Sequence, residues 1–383
     1  MASSSSRRLP VLREILLLSF KPRLFPDTLF GVDTESTLRD QAGLIFRAAF
    51  DGDTTRMKTL AKQRKRDGKS MDVVEEIRDN QNRSLGALHL AAFAGKLEMC
   101  RYLIRKLELD VNAAAEQGSS PLLCAIYGCA PIPIVNLLLN RGADPNKASS
   151  EGFTVLHVLA TIQDPDLFEL AEILLSRGAK VDSMSTEGTP LHFAAQCGNA
   201  VMMEALLKYN ANPDRVVQSF YAPLTLALFA SSTKCVELLI EAGADVNAGS
   251  PATPLTIAAM DGLADCIKCL LEAGANANIP DEIGRTPLEI AAIHGWKECV
   301  QILFPHTFPV ARFADWSIDG IMQHVKYGSS EGNLPKSEEP ALKVLGDVAF
   351  KRKDYTHALA LYTKCCGSGC STWKHKTFVS NKI

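Results

Sequence analysis

The chain has 383 residues, which is enough for two or three ordinary domains or for one extended array. Its hydrophobic fraction of 46% and charged fraction of 22% are typical of a soluble globular protein. The formal net charge of −2 argues against a protein that binds nucleic acid by neutralising phosphates, and no apolar run is long enough to predict a membrane-spanning helix. The 11 cysteines follow no secretory signal, which predicts reduced thiols in an intracellular compartment.

Residues 1–42 form an N-terminal extension that we expect to be disordered. Its first 26 residues begin with a Ser-rich run and hold one acid, Glu14, among several Lys and Arg residues. This composition resembles that of an organellar transit peptide, but we favour an extension whose apolar segment, Ile15 to Phe20, folds back on the next domain. We therefore predict a cytoplasmic location. The nucleus is an alternative because of the basic run from Lys62, and an organelle is another if residues 1–26 are a transit peptide.

The middle of the chain repeats one template seven times. The second position of each copy is Ala87, Pro121, Val155, Pro190, Pro223, Pro254 and Pro287. Thr or Ser before Pro is typical of a helix N-terminus, because the hydroxyl caps the helix and Pro at the first helical position needs no N–H. A Leu and a pair of Ala residues then face inward, and the following Gly ends the helix in a left-handed conformation. A second helix and an Asp/Asn-rich turn complete each copy.

These motifs, such as TPLHFAAQCG from Thr189 and TPLTIAAMDG from Thr253, resemble ankyrin repeats. The resemblance implies an all-α solenoid in which each repeat is a helix–turn–helix unit joined to the next by a β-turn or hairpin finger. Residues 43–307 would form this array, with a degenerate cap at 43–77 followed by seven repeats. A single repeat is too small to be stable alone, so stability comes from stacking on its neighbours.

After residue 307 the period is lost. Residues 308–338 contain a short amphipathic helix with Trp316 and Ile321, which we expect to cover the last repeat, and then a linker. Residues 339–366 match a single, incomplete tetratricopeptide (TPR) hairpin, because Gly346 and Ala358 have the spacing of that template. Residues 367–383 form a tail. An array followed by a TPR pattern resembles the plant ankyrin–TPR proteins, with the TPR part truncated.

The TPR resemblance also implies where a peptide could bind. TPR modules of co-chaperones hold a peptide carboxylate with a clamp of Lys and Asn side chains. Lys343 matches the Lys of this clamp, whereas Asp347 occupies the Asn position and would repel a carboxylate. The other clamp residues belong to further TPR units, which this sequence does not contain. A chaperone-linked adaptor is therefore the alternative function rather than the preferred one.

Two sets of residues could suggest metal or redox chemistry. His89, His157 and His192 recur at one slot of the template, where ankyrin repeats use His to bridge neighbouring units. Stacking places them in a line about 10 Å apart, so they cannot converge on a metal. Cys266 and Cys269 form a C-x-x-C pair without a second pair, and Cys266 shares its slot with Cys235 and Cys299. We expect structural roles, with no metal site and no cofactor.

We predict a monomeric, non-enzymatic scaffold that binds a protein partner, and not nucleic acid, through the concave face of the array. No phosphate-binding loop, nucleophile elbow or kinase signature occurs in the sequence. The candidate contacts lie near the finger tips, where the template leaves the residue free: Gln117, Ser119, Phe153, Glu187, Phe220, Tyr221 and Arg285. Exposed aromatic and Arg side chains anchor many protein interfaces.

Overall fold

The computed structural model describes residues 41–68, 77–78, 84–115, 118–164, 167–217, 221–249 and 252–328. Within these ranges the chain is a series of short helix pairs. The helices are α1 (Gln41–Asp51), α2 (Thr54–Arg66), α3 (Ala87–Phe93), α4 (Leu97–Lys106), α5 (Pro121–Tyr127), α6 (Ile132–Asn140), α7 (Val155–Thr161), α8 (Leu167–Ser176), α9 (Pro190–Gln196), α10 (Ala200–Lys208), α11 (Pro223–Phe229), α12 (Thr233–Glu241), α13 (Pro254–Asp261), α14 (Ala264–Glu272), α15 (Pro287–Ile293), α16 (Lys297–Leu303) and α17 (Ile318–Gly328). A 3₁₀ turn, Phe304–His306, follows α16, and the strands β1 (Ile77–Arg78) and β2 (Ser84–Leu85) pair antiparallel.

The helices form two layers. The odd-numbered helices stack in chain order from α1 to α17 as an inner layer, and each of them up to α15 packs against the even-numbered helix that follows it. The even-numbered helices form the outer layer, stacked from α2 to α6 and from α8 to α16. The hydrophobic core is one continuous cluster that runs between the layers from Ile45 to Ile321. The predicted all-α solenoid is confirmed.

The template residues form the contacts that the sequence predicts. The hydroxyl of Thr253 accepts a hydrogen bond from the backbone N–H of Thr256, and Pro254 is the first residue of α13. Leu255, Ala258 and Ala259 are buried. The two Ala side chains are small, which lets adjacent inner helices approach closely. The degenerate cap follows the same pattern, since Ala48 and Ala49 of α1 are also buried.

A ladder of asparagine side chains joins the turns of successive repeats. The Asn146 amide donates to the carbonyl of Gly178 at 2.9 Å and accepts from the N–H of Lys180 at 2.7 Å. Asn112 and Asn247 make the equivalent pair of bonds to the repeats that follow them. Each such side chain satisfies two backbone groups at a helix end, which would otherwise lack partners. The ladder therefore fixes the register of one repeat against the next.

The segment after α16 closes the array in the same register. Asn278 donates to the carbonyl of His306 at 3.1 Å and accepts from the N–H of Phe308 at 2.7 Å, so the ladder continues past the seventh repeat. Trp316 stacks on Phe304 with ring centroids 5.6 Å apart, and Ile321 of α17 is fully buried against the inner layer. The prediction that this helix covers the last repeat is confirmed. The predicted linker and TPR hairpin, at residues 329–366, lie outside the described residues.

One prediction concerns two residues that replace glycine. The helix-ending Gly expected at Gly128 has an ordinary φ of −81°. Cys129 is left-handed instead, with a φ of 50°, at the position where Gly95 of the preceding repeat has a φ of 70°. Ser231, with φ of 52°, fills the same position two repeats before Gly295. Left-handed backbone costs a residue with a Cβ atom about 1–2 kcal/mol, and glycine avoids this cost.

We therefore expect Cys129→Gly and Ser231→Gly each to raise the free energy of unfolding by about 0.5–1 kcal/mol, measured by thermal and urea denaturation. The matched control is Gly95→Ala, which should lower it. Equal stabilities for all three variants and the parent chain would contradict the prediction.

Candidate protein-binding face

Four of the predicted site residues lie outside the described residues. They are Gln117, Phe220, Lys343 and Asp347. The candidate face is therefore built from the fingers and helix ends that the structure describes. Here a finger is the segment between an outer helix and the next inner helix.

Two predicted contacts, Ser119 and Phe153, have buried side chains. Ser119 acts through its backbone, since its carbonyl accepts from the N–H of Ala115 and lies 3.1 Å from His89 Nε2. The Phe153 ring meets the rings of His157 and Phe193 edge to face, at centroid distances of 5.7 and 5.8 Å. The prediction that these two side chains are exposed at a finger tip is wrong, because the finger bases lie against the inner helices of neighbouring repeats, α3 for Ser119 and α9 for Phe153.

The other three predicted contacts remain at the surface. Glu187 is exposed on the finger before α9. Tyr221 is half-buried, pairs with Val217 in a β-bridge and brings its ring to 6.3 Å from the ring of Phe229. Arg285 is half-buried and its guanidinium contacts the Asp281 carboxylate at 2.8 Å, so its charge is compensated within the finger.

Large apolar side chains are exposed mainly at the fingers and at the ends of the inner helices. Their exposed fractions run from 37% at Met260 to 61% at Ile283, with one higher value, 74%, at Phe308. The full set in the described residues is Met184, Val216 and Ile283 on fingers, Phe229 and Met260 at the ends of α11 and α13, Trp296 between α15 and α16, and Phe308 after the 3₁₀ turn. None of these lies within an outer helix. All of them belong to the C-terminal half of the described array.

Trp296 contacts the C-terminal end of α13 in two ways. The indole N–H of Trp296 donates to the carbonyl of Met260 at 3.1 Å. The Trp296 ring lies directly over Gly262, where an added Cβ would approach it to 2.6 Å. Phe229 and Met260 occupy the same position of α11 and α13, which are neighbours in the inner layer. Phe229, Met260 and Trp296, with Tyr221 beside Phe229, therefore form an apolar strip along this layer, which we call the helix-end strip.

Comparing the repeats with one another would have found the helix-end strip from the sequence. The residue six positions after the start of each inner helix is Phe93, Tyr127, Thr161, Gln196, Phe229, Met260 and Ile293. This position changes from copy to copy while the Leu and Ala positions beside it hardly change. Freedom of choice within an otherwise constant helix indicates a side chain that the packing does not use. The prediction considered finger tips only and missed this second row.

The histidine slot is structural. His157 Nδ1 accepts from the N–H of Thr154 at 3.0 Å, so its proton is on Nε2, which donates to the carbonyl of Gly188 at 3.0 Å. His89 makes the equivalent bonds to Gly86 and Ser119. Burial lowers the pKa of His89 and of His157 to about 4, and it also lowers the pKa of His192. The rings of His89 and His157 are therefore uncharged at neutral pH. Each of them links the start of its own helix to the following finger.

The cysteine slot is also structural. Cys235, Cys266 and Cys299 are buried in the outer helices, and burial raises the pKa of the Cys299 thiol to about 11. The structural role expected for these residues is confirmed, since each of them packs as a small hydrophobic side chain. In the described part of the chain, no three His, Cys, Asp or Glu side chains cluster as a metal site would require. No helix in the same ranges has both the length and the apolar character that crossing a bilayer demands.

Comparison with known proteins finds similar solved structures and similar relatives. The human ASB11 ankyrin repeat domain superimposes with a TM-score of 0.51 at 30% sequence identity, covering 58% of this chain and 99% of that domain. A palmitoyltransferase, AKR1 of Lachancea kluyveri, is 31% identical over 167 residues, which are 42% of this chain and 22% of that protein. The human transient receptor potential cation channel subfamily A member 1 is 28% identical over 160 residues, which are 41% of this chain and 14% of the channel.

The chain thus spans less than a quarter of the length of these two relatives. The family model for ankyrin repeats (3 copies) matches residues 45–149, 132–216, 156–250 and 246–312. These matches overlap to cover the whole array and more than half of the chain. This chain belongs to the ankyrin repeat family.

Proposed function

We propose that the chain is a non-enzymatic scaffold that holds a protein partner against the helix-end strip and the neighbouring fingers. The observation that supports this proposal is the one-sided distribution of exposed apolar side chains. Aromatic and Met residues that are exposed on one face of a folded domain are typical anchors of protein interfaces. Water contact at Phe229, Met260 and Trp296 costs free energy in the unbound protein, and a partner that covers them removes that cost.

The proposal is tested by changing the strip without changing the core. Phe229→Glu combined with Met260→Glu places two charges on exposed positions, so the fold should survive. We expect partners recovered by affinity purification with the parent chain to bind this variant at least about tenfold more weakly. The matched control is Phe308→Glu, which alters an exposed aromatic outside the strip and should retain them. Recovery of the same partners by both variants would contradict the proposal.

The proposed absence of enzymatic activity applies to the ankyrin array. The matches to the palmitoyltransferase and to the channel cover 22% and 14% of those proteins, so their names say nothing about catalysis here. The adaptor alternative, a TPR clamp with Lys343, is weakened by Asp347 at the Asn position, and both residues lie outside the described ranges. The scaffold is therefore the function that the described contacts favour.

A further inference from the structure

The connection between α7 and α8 departs from the repeat template. In the other six repeats the residue eight positions after the start of the inner helix is left-handed: Gly95, Cys129, Gly198, Ser231, Gly262 and Gly295. After α7 the backbone is extended instead, at Ile162, with a φ of −94° and a ψ of 125°. A left-handed residue turns the chain back at once towards the outer helix. Without it, α8 begins at Leu167, 12 residues after Val155, whereas this interval is 10 or 11 residues in the other repeats.

Polar side chains fasten the end of α7 to the repeat that follows. The Asn199 side chain is buried, and its amide donates to the carbonyls of Ala160 at 3.3 Å and Ile162 at 2.7 Å. The amide of Gln163 donates to the carbonyl of Cys197 at 2.5 Å. The bonds of Asn199 satisfy carbonyls at the C-terminal end of α7, where partners within the helix are lacking. They tie this repeat to α9 and α10.

α8 is held in the same direction. It packs against α10, where the Lys208 ammonium pairs with the Glu172 carboxylate and lies 5.7 Å from the centroid of the Phe168 ring. On its other side, α6 and α8 do not form a packed pair, although the structure describes both helices in full and all other neighbouring outer helices pack. Across this gap the Arg177 guanidinium donates to the side-chain carbonyl of Asn140 at 3.0 Å, and both side chains are exposed. An exposed hydrogen bond contributes little beside a packed helix pair.

The inner side of the array is continuous at the same point. α5 packs against α7, and Asn146 bridges to Gly178 and Lys180 as part of the asparagine ladder. Among the described helices, only the outer layer is interrupted here. Helices that are packed in both layers resist rotation, because a close-packed interior does not deform easily. Where packing persists on one side of a gap and is missing on the other, the packed side acts as a pivot.

We propose that the array has a flexible joint between α6 and α8, at which its first part (α1–α6) rotates against its second part (α7–α17). Rotation about the inner contacts opens or closes the outer gap and changes the curvature of the concave face. The stability of a repeat array is the sum of its repeats and of the interfaces between them, so a weak interface also creates parts that open separately. Phe229, Met260 and Trp296 all belong to the second part. The joint therefore leaves the helix-end strip intact and does not depend on the proposed function.

Distances between spin labels on the outer helices measure the rotation. Arg101, Glu204 and Gln301 occupy the same template position in α4, α10 and α16, and all three are exposed. Labels at Arg101 and Glu204 span the joint, and labels at Glu204 and Gln301 are the matched control, since each pair is three repeats or about 30 Å apart. Attachment through a non-canonical amino acid leaves the native cysteines untouched. Pulsed electron paramagnetic resonance should give a distance distribution about twice as wide for the pair that spans the joint. Equal widths would overturn the proposal.

Hydrogen exchange of the full chain in increasing urea tests whether the two parts open separately. We expect the amides of α3 and α5 to share one opening reaction and those of α7 to α15 to share another, with a step between α5 and α7. Protection that changes smoothly along the array, without a step at this place, would contradict the joint.

Leu88→Ala and Leu224→Ala are matched variants for this experiment. Both Leu residues occupy the same template position and are 2% exposed, one in each part. Leu88→Ala should raise the exchange rates of α3 and α5 on the order of a hundredfold and leave those of α9 and α13 unchanged, and Leu224→Ala should do the reverse. Equal acceleration of both parts by either variant would overturn the proposal. If a variant does not fold, the step in the parent chain and the spin-label widths decide.

Discussion

Lowering the pH from about 7 to about 5 is expected to reduce the free energy of unfolding by roughly 2 kcal/mol for each of His89 and His157. Burial lowers the pKa of both rings to about 4 in the folded chain, whereas an unfolded His titrates near its ordinary value of 6.5. Between these two values the unfolded chain binds more protons than the folded chain. The stabilisation is therefore complete above the unfolded pKa and is lost as the pH falls towards the folded pKa.

The geometry explains why the folded state rejects the proton. In His157 the Nδ1 atom accepts from the N–H of Thr154, so a proton on Nδ1 would set two donors against each other. His89 meets the same conflict at the N–H of Gly86. Urea unfolding monitored by circular dichroism at a series of pH values measures the effect.

His157→Thr provides the matched comparison, because Thr256 already fills this slot in another repeat. The variant should be less stable than the parent chain at neutral pH, yet its loss of stability on acidification should be smaller by roughly 2 kcal/mol, the contribution of His157. The surface control is His294→Gln, which changes an exposed ring. A pH dependence that is identical in the parent chain and in His157→Thr would show that the buried histidines do not cause it.

Replacing Arg312 by Ala is expected to destabilise the C-terminal end of the array by about 2–3 kcal/mol. In the seventh repeat the histidine slot holds Glu289, whose side chain is only 4% exposed. Its carboxylate accepts from the N–H of Thr286 at 2.7 Å and from the Thr286 hydroxyl at 3.0 Å, and Arg312 supplies the balancing charge. Without that guanidinium a carboxylate remains buried and unpaired. The figure is below that for a fully buried pair because Arg312 itself is half-exposed.

The control for this effect removes both charges. In Glu289→Thr combined with Arg312→Ala, the slot regains the chemistry of the preceding repeat, where the hydroxyls of Thr253 and Thr256 lie 2.9 Å apart. We expect the double variant to recover much of the lost stability. Thermal denaturation gives the total effect, and hydrogen exchange of α17 shows whether the loss is local. A double variant as unstable as Arg312→Ala alone would mean that the ion pair is not the cause.

The C-terminal closure illustrates what a sequence pattern can predict. The apolar spacing of Trp316 and Ile321 was sufficient to predict a helix that covers the last repeat, because amphipathic helices bury their apolar side. The pattern could not predict that Arg312 binds Glu289 in the histidine slot. In earlier repeats the side chain in this slot binds the next finger instead. The pairing of Arg312 with Glu289 joins residues 23 positions apart through a turn that follows no template. Arg312 also donates to the carbonyl of Gly284. The same side chain therefore forms a hydrogen bond to the backbone and balances the charge of Glu289.

The candidate face shows a similar division. The sequence predicted that the fingers vary and that variable positions are available for binding, and Glu187 and Tyr221 are indeed accessible. Phe153 was assigned to the same group because it is an aromatic residue near a finger. Stacking buries it instead, since the following repeat brings Phe193 against its ring. Exposure of a finger residue depends on the neighbouring repeat, and a single repeat's sequence does not contain that information.

The sequence by itself determined the repeat period, the helix starts at Ser or Thr before Pro, and the buried Leu and Ala positions. These features follow from local capping and from a periodic apolar pattern. Only the tertiary structure decided which side chains the next repeat covers. At Gly128 an added Cβ would lie 1.9 Å from the carbonyl oxygen of Phe93 in the adjacent inner helix, so the glycine serves packing and Cys129 takes the left-handed turn. The same stacking leaves the helix-end strip exposed on the inner layer, because a repeat buries the side chains that its neighbours touch and leaves the others in contact with water.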